Sequence, residues 1–273
     1  MEITTTNVLP AFMLTLLAGL STGLGGVISL FAVKRKDSHK TFLPFALGLS
    51  AGVMIYVSFM EILLEAQTTL VAARGETVGQ GMTVLGFFLG IAVIFIIDRL
   101  LPDEVNPHEI HDETDTKATW QRDRDRLQRV GVMTAIGIVI HNFPEGLATF
   151  MSALEDVRLG VAIAIAIAIH NIPEGIAVAV PIYYASGSRK KALKASFLSG
   201  LAEPLGALIG GIVLLPFMSP TVYGVIMGAV AGIMVFISLD ELLPTAEAYG
   251  KHHLAIFGVV LGMAIMALTL LLV

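Results

Sequence analysis

The hexapeptide HNFPEG, residues 141–146, returns as HNIPEG at residues 170–175, and each copy carries an imidazole, a carboxamide and a carboxylate. On an α-helix each residue advances about 100°. With His141 at zero, Glu145 lies about 40° round the helix and Asn142 about 100°, while Phe143 points to the far side. His141, Asn142 and Glu145 therefore share one stripe, and His170, Asn171 and Glu174 share another. Imidazole, carboxylate and amide carbonyl together suit Zn²⁺, Fe²⁺, Mn²⁺ and their neighbours. Two such acidic stripes brought together would repel, and a divalent cation is their natural counter-charge. Pro144 and Pro173 each remove a backbone hydrogen bond and clash one turn back. That predicts freed carbonyls at Ile140 and Ile169 and a bend beside each stripe.

A single histidine in an apolar helix is commonly hydrogen-bonding glue, and it is the duplication that favours a ligand role. Glu203, in the apolar stretch SGLAEPLG, is a further candidate ligand, and Glu61, one turn after Ser58, is another. Asp240 and Glu241 occupy the place matching Glu61 in a later segment. His108, Glu109, His111, Asp112 and Glu113 could bind metal only after an acidic linker had been ordered.

The elements that must position these groups are membrane helices. The 273 residues are 55% hydrophobic and only 14% charged, whereas soluble domains carry about 25% charged residues. Apolar runs of roughly 20 residues read as transmembrane helices. Eight are expected, near 9–33, 42–66, 80–101, 130–152, 158–184, 192–217, 220–246 and 254–273. Lys and Arg collect in cytoplasmic loops; here all but Arg74 and Arg158 fall in the segments that follow the odd-numbered spans. Both termini are therefore expected outside the cytoplasm. The start MEITTTNVLP lacks a basic region and a cleavage site, so no removable signal peptide is expected. Without cysteine, disulfides and thiolate metal sites are excluded, and the net charge of −5 implies no nucleic-acid partner.

A second repeat orders the spans. AGVMIYVSFMEILLEA, residues 51–66, aligns without gaps to AGIMVFISLDELLPTA, residues 231–246, sharing Ser58/Ser238 and Glu61/Glu241. Span two thus matches span seven and span four matches span five, each pair crossing the membrane in opposite directions. Such inverted repeats are typical of secondary transporters. The expected fold is an all-α integral membrane protein of eight transmembrane helices, spans one to three repeated as spans six to eight around a central pair, four and five. Residues 1–273 form one transmembrane domain with a cytoplasmic loop at about 102–129, read as partly disordered. Gly19, Gly23, Gly48, Gly52, Gly86, Gly90, Gly206 and Gly210 have the spacing that lets helices approach closely.

HNFPEG on span four, HNIPEG on span five and GLAEPLG on span six together resemble the ZIP family of divalent-metal transporters, in particular its bacterial zinc-uptake branch. The resemblance covers the whole chain, including the histidine-bearing loop between spans three and four. It implies import of Zn²⁺, with Fe²⁺, Mn²⁺ or Cd²⁺, into the cytoplasm of a bacterial cell across the inner membrane. It also implies a binuclear site built from spans four and five, with contributions from spans two and six. Carried over residue by residue, the ligands are His141, Asn142, Glu145, His170, Asn171, Glu174 and Glu203; Glu61, where many family members have His, is the span-two candidate and a departure from the family pattern. No catalytic cofactor is expected, since metal is the cargo; the partners are divalent cations and the bilayer, and a homodimer is admitted. The competing class is an intramembrane zinc hydrolase. His141 and Glu145 superficially resemble zinc-protease ligands, but no H-E-x-x-H motif occurs.

Overall fold

A computed structural model of the chain describes residues 7–32, 39–100, 116–155, 157–209 and 219–272. Among them are eight helices long and apolar enough to cross a bilayer. These are spans one (Val8–Phe31), two (Thr41–Arg74), three (Glu76–Leu100), four (Arg124–Leu154), five (Gly160–Ser186), six (Arg189–Ile209), seven (Pro220–Glu247) and eight (His252–Leu271). Number and order match the hydropathy pattern. A bilayer offers no water to peptide groups, so a single crossing segment must satisfy its own as a helix. No strand occurs among the described residues.

Two boundaries differ from expectation. Span two continues to Arg74, where Gly75 at φ 82° ends it. The helix containing span four begins at Thr116, because Gln, Arg and Leu, abundant in WQRDRDRLQR, are strong helix formers even when charged. The acidic linker with His108 and His111 lies outside the described residues.

The spans sort into two groups. Spans one, four, five and six pack together, and spans two, three, seven and eight form the second group. In the first, span one rests chiefly on span five, and span six on span four. In the second, span two rests on span eight and span seven on span three. Exchanging one with six, two with seven, three with eight and four with five leaves these pairings unchanged. The inverted repeat is thus also a symmetry of the packing. The groups meet mainly through span two on span five and span seven on span four.

The repeat persists in local detail. Ser58–Ile62 in span two and Ser238–Leu242 in span seven are both wide π turns. Ser58 Oγ donates to Met54 O at 2.6 Å and Ser238 Oγ to Met234 O at 2.8 Å. A hydroxyl competing for the carbonyl four residues back loosens the helical ladder, and single π turns are frequent at functional sites. Close approach is where the small residues act. A Cβ on Gly48 or Gly52 would strike the carbonyls of Ala255 or Val259 on span eight, and one on Gly90 that of Ala229 on span seven. Gly210 lies outside the described residues.

Neither Pro144 nor Pro173 interrupts its helix. The interruption comes in span six, where one helix ends at Gly200 and another starts at Ala202. Pro204 explains it, having no N–H to return to the Gly200 carbonyl. Glu203 therefore sits in the first turn of the second half-helix.

Candidate metal centre

Spans four and five run antiparallel, so the two polar stripes meet with their order reversed, and each glutamate faces the histidine of the other span. Glu145 Oε1 lies 2.9 Å from His170 Nε2, and Glu174 Oε1 lies 3.6 Å from His141 Nε2. Within span four, Glu145 Oε2 is 3.3 Å from His141 Nε2. The imidazole centroids are 6.3 Å apart. His141, His170 and Glu174 each present a donor atom, all within 4.8 Å of one another, close enough for one cation to contact all three. None of the six His, Asn and Glu residues of the hexapeptides is more than 8% exposed, and Glu203 is fully buried.

Both asparagines are oriented by the spans beside them. Asn142 Nδ2 donates to Ser199 O on span six at 3.5 Å, and Asn171 Nδ2 to Ala18 O on span one at 3.1 Å. Asn171 Nδ2 also contacts Glu203 Oε1 closely. With their nitrogens engaged, the carbonyl oxygens Oδ1 of Asn142 and Asn171 have no hydrogen-bond partner among the described residues. The same holds for both oxygens of Glu174, both ring nitrogens of His141, Nδ1 of His170, and Oε2 of Glu145 and Glu203. Buried polar atoms are nearly always partnered. This many unsatisfied donor atoms on adjacent helices fit a cation that would bind to them.

The glycine closing each hexapeptide sets the spacing. A Cβ on Gly146 would meet the carbonyl oxygen of Glu203, and one on Gly175 that of Thr22 on span one. In return, a Cβ on Gly206 would meet the Phe143 carbonyl, and one on Gly25 that of Ile172. Spans six and one thus hold equivalent places beside spans four and five. Only span six brings a carboxylate there; the position matching Glu203 on span one is Thr22.

Of the eight expected ligands, the structure brings together His141, Asn142, Glu145, His170, Asn171, Glu174 and Glu203. Glu61, on its π turn and within electrostatic reach of His170 and Glu145, lies in the wall of a cavity of about 640 Å³ that also reaches Glu145. This cavity runs toward the end of the bundle marked by Arg74 and Arg158, where Ser219 and Pro220 begin span seven. At the opposite, base-rich end, Arg129 of span four pairs with Asp98 of span three at 2.6 Å. That bridge ties the two groups of spans together. Glu241 lies buried at this end, within electrostatic reach of Asp98, Arg126 and Arg129, away from the hexapeptides. Sequence reasoning missed Glu65 and Tyr223, which line the cavity and are joined by a hydrogen bond, Tyr223 Oη donating to Glu65 Oε1 at 2.9 Å. The placement of Glu65 one helical turn beyond Glu61 was the available signal.

Comparison with known proteins returns one consistent answer. The family model described as "ZIP Zinc transporter" matches residues 8–270. A protein of Streptococcus mutans named "Zinc transporter ZupT" is 62% identical over 264 residues, covering 96% of this chain and 97% of its own. Proteins of the same name from Chlorobium chlorochromatii and Oceanobacillus iheyensis are each 56% identical. The first covers 98% of this chain and 99% of its own, the second 97% and 98%.

Proposed function

The chain belongs to the ZIP zinc transporter family and is a multi-pass membrane transporter of divalent metal. From that premise we propose that it carries Zn²⁺, and with it Fe²⁺, Mn²⁺ and Cd²⁺, into the cytoplasm across a bacterial inner membrane, with both termini outside. The metal site is His141, Asn142, Glu145, His170, Asn171, Glu174 and Glu203, with Glu61 on the approach from the cavity.

The single observation that carries the site is the set of unpartnered donor atoms on spans four, five and six. A hydrated divalent ion must shed water inside a low-dielectric bundle, and fixed carboxylates compensate for it. Imidazoles and amide oxygens complete the shell without adding charge, which keeps the ion from being held too tightly to leave. The cavity on the base-poor side supports entry from outside, and the Arg129–Asp98 bridge at the base-rich end supports a conformation closed toward the cytoplasm. The non-enzymatic reading rests on the relatives, all named as transporters.

Uptake of ⁶⁵Zn²⁺ into proteoliposomes tests this proposal. Glu145→Ala and Glu174→Ala should each lower uptake by at least about tenfold, the scale on which metal sites respond to loss of supporting groups. Transport by both variants at the wild-type rate would refute the site.

A further inference from the structure

Glu65 has no role in the seven-residue site, yet its surroundings are arranged for a cation. It is exposed at the wall of the cavity, one turn nearer the base-poor end than Glu61. No Lys, Arg or His is among the cavity's described lining residues, so Glu65 is not half of a salt bridge there. Arg74, the basic residue nearest in sequence, donates instead to Thr221 Oγ1 at 2.9 Å. The partner of Glu65 is a phenol, Tyr223. A phenol fixes one carboxylate oxygen without neutralising the charge, and a carboxylate offers about four lone-pair positions. Below it, Glu61 Oε2 is buried with no hydrogen-bond partner among the described residues. Deeper still, the cavity is lined by Glu145, only 8% exposed, whose Oε2 has no hydrogen-bond partner either.

We propose that Glu65, held by Tyr223 and acting with Glu61, forms a capture site for a hydrated divalent cation at the cavity mouth, from which the ion passes to Glu145. The proposal rests on the transport reading above. Glu65, Glu61 and Tyr223 belong to spans two and seven of one group, and Glu145 to span four of the other. The ion is handed across the boundary between the groups, the step at which a cation arriving from water is committed to the buried ligands. Like charges lining a low-dielectric cleft focus the field and concentrate counter-ions. Glu65 thus serves to fill the path at low metal concentration rather than to select or dehydrate the ion. Tyr223 is a positioning residue that keeps the carboxylate against the wall.

Two substitutions separate capture from a mere tie between spans two and seven. Glu65→Gln removes the charge but keeps an oxygen that accepts from Tyr223; Tyr223→Phe removes the hydrogen bond but keeps the charge. In initial-rate ⁶⁵Zn²⁺ uptake by the full chain in proteoliposomes, Glu65→Gln should raise KM roughly tenfold, leave Vmax within about twofold, and lose much of its effect at high salt. Tyr223→Phe should shift KM less than Glu65→Gln does. Glu65→Asp should remain near wild type and Glu65→Lys should raise KM well above it, a contrast that decides the matter if Glu65→Gln does not fold. A KM for Glu65→Gln equal to wild type, or a Tyr223→Phe effect matching or exceeding it, would overturn the capture site while wild-type uptake still upheld transport. Absence of uptake by the wild type would instead strike the transport reading itself.

Discussion

The two asparagines show how the site is built at the scale of single residues. Each gives its amide nitrogen to a backbone carbonyl on a neighbouring span, Ser199 for Asn142 and Ala18 for Asn171. The amide dipole then points its oxygen away from that contact, leaving a neutral, oriented donor atom without a hydrogen-bond partner among the described residues. Asn171 does more, because its nitrogen also orients Glu203. Replacing it with alanine removes that amide oxygen and releases a carboxylate. Asn171→Ala should weaken Zn²⁺ binding about 10- to 100-fold, measured by competition with a fluorescent chelator, and by more than Asn142→Ala, whose single contact is longer. Gly146 contributes through what it lacks. Gly146→Ala forces a methyl group onto the Glu203 carbonyl and should cost about 1–3 kcal/mol as overpacking. Thermal unfolding in detergent would show this as a lowered transition temperature.

At the scale of elements, three helices depart from regularity where chemistry is near. Span six breaks at Gly200 because Pro204 cannot return its hydrogen bond, and the break sets Glu203 in the first turn of a half-helix. Pro204→Ala should let span six close its ladder and turn Glu203 away from Asn171. Thermal stability should hold or rise while Zn²⁺ affinity falls, and a simultaneous loss of both would contradict this account. The π turns of spans two and seven displace Glu61 and Glu241 alike, one toward the cavity and one toward the base-rich end. The sequence carried this equivalence in the alignment of residues 51–66 with 231–246. It could not show the wide turn, which depends on Ser58 and Ser238 competing successfully for backbone carbonyls in a packed interior.

The whole molecule is two groups of four spans related to themselves by one inverted symmetry. Among the described residues the symmetry holds for the main helix pairings and fails in charge. Glu203 has only Thr22 as its counterpart, and Glu65 has Thr245 at its place in the repeat. Identical scaffolds thus present unequal fields to the two sides, and the acidic cavity lies on the side poor in Lys and Arg. The cysteine-free chain allows the orientation to be tested directly. A thiol from Glu76→Cys, at the start of span three, should react with a membrane-impermeant maleimide added to intact cells. One from Lys190→Cys, at the start of span six, should react only after the membrane is opened; the reverse pattern would invert the assignment of sides.

The sequence alone determined the solvent, the number of crossings and which polar side chains lie within them. Hydropathy, the distribution of Lys and Arg, and residue periodicity are local properties that need no partner helix. The residues of the candidate site stood out because a buried imidazole or carboxylate is costly in a bilayer and therefore conspicuous. Tertiary structure alone decided which glutamate faces which histidine, that span six and not span four or five breaks, and that Glu61 shares a cavity wall with Glu145. It also decided that Glu65 faces a water-accessible cavity with a phenol for a partner. Those outcomes depend on how antiparallel helices register against each other, set by glycine–carbonyl contacts between residues far apart in the chain. No local pattern encodes that register.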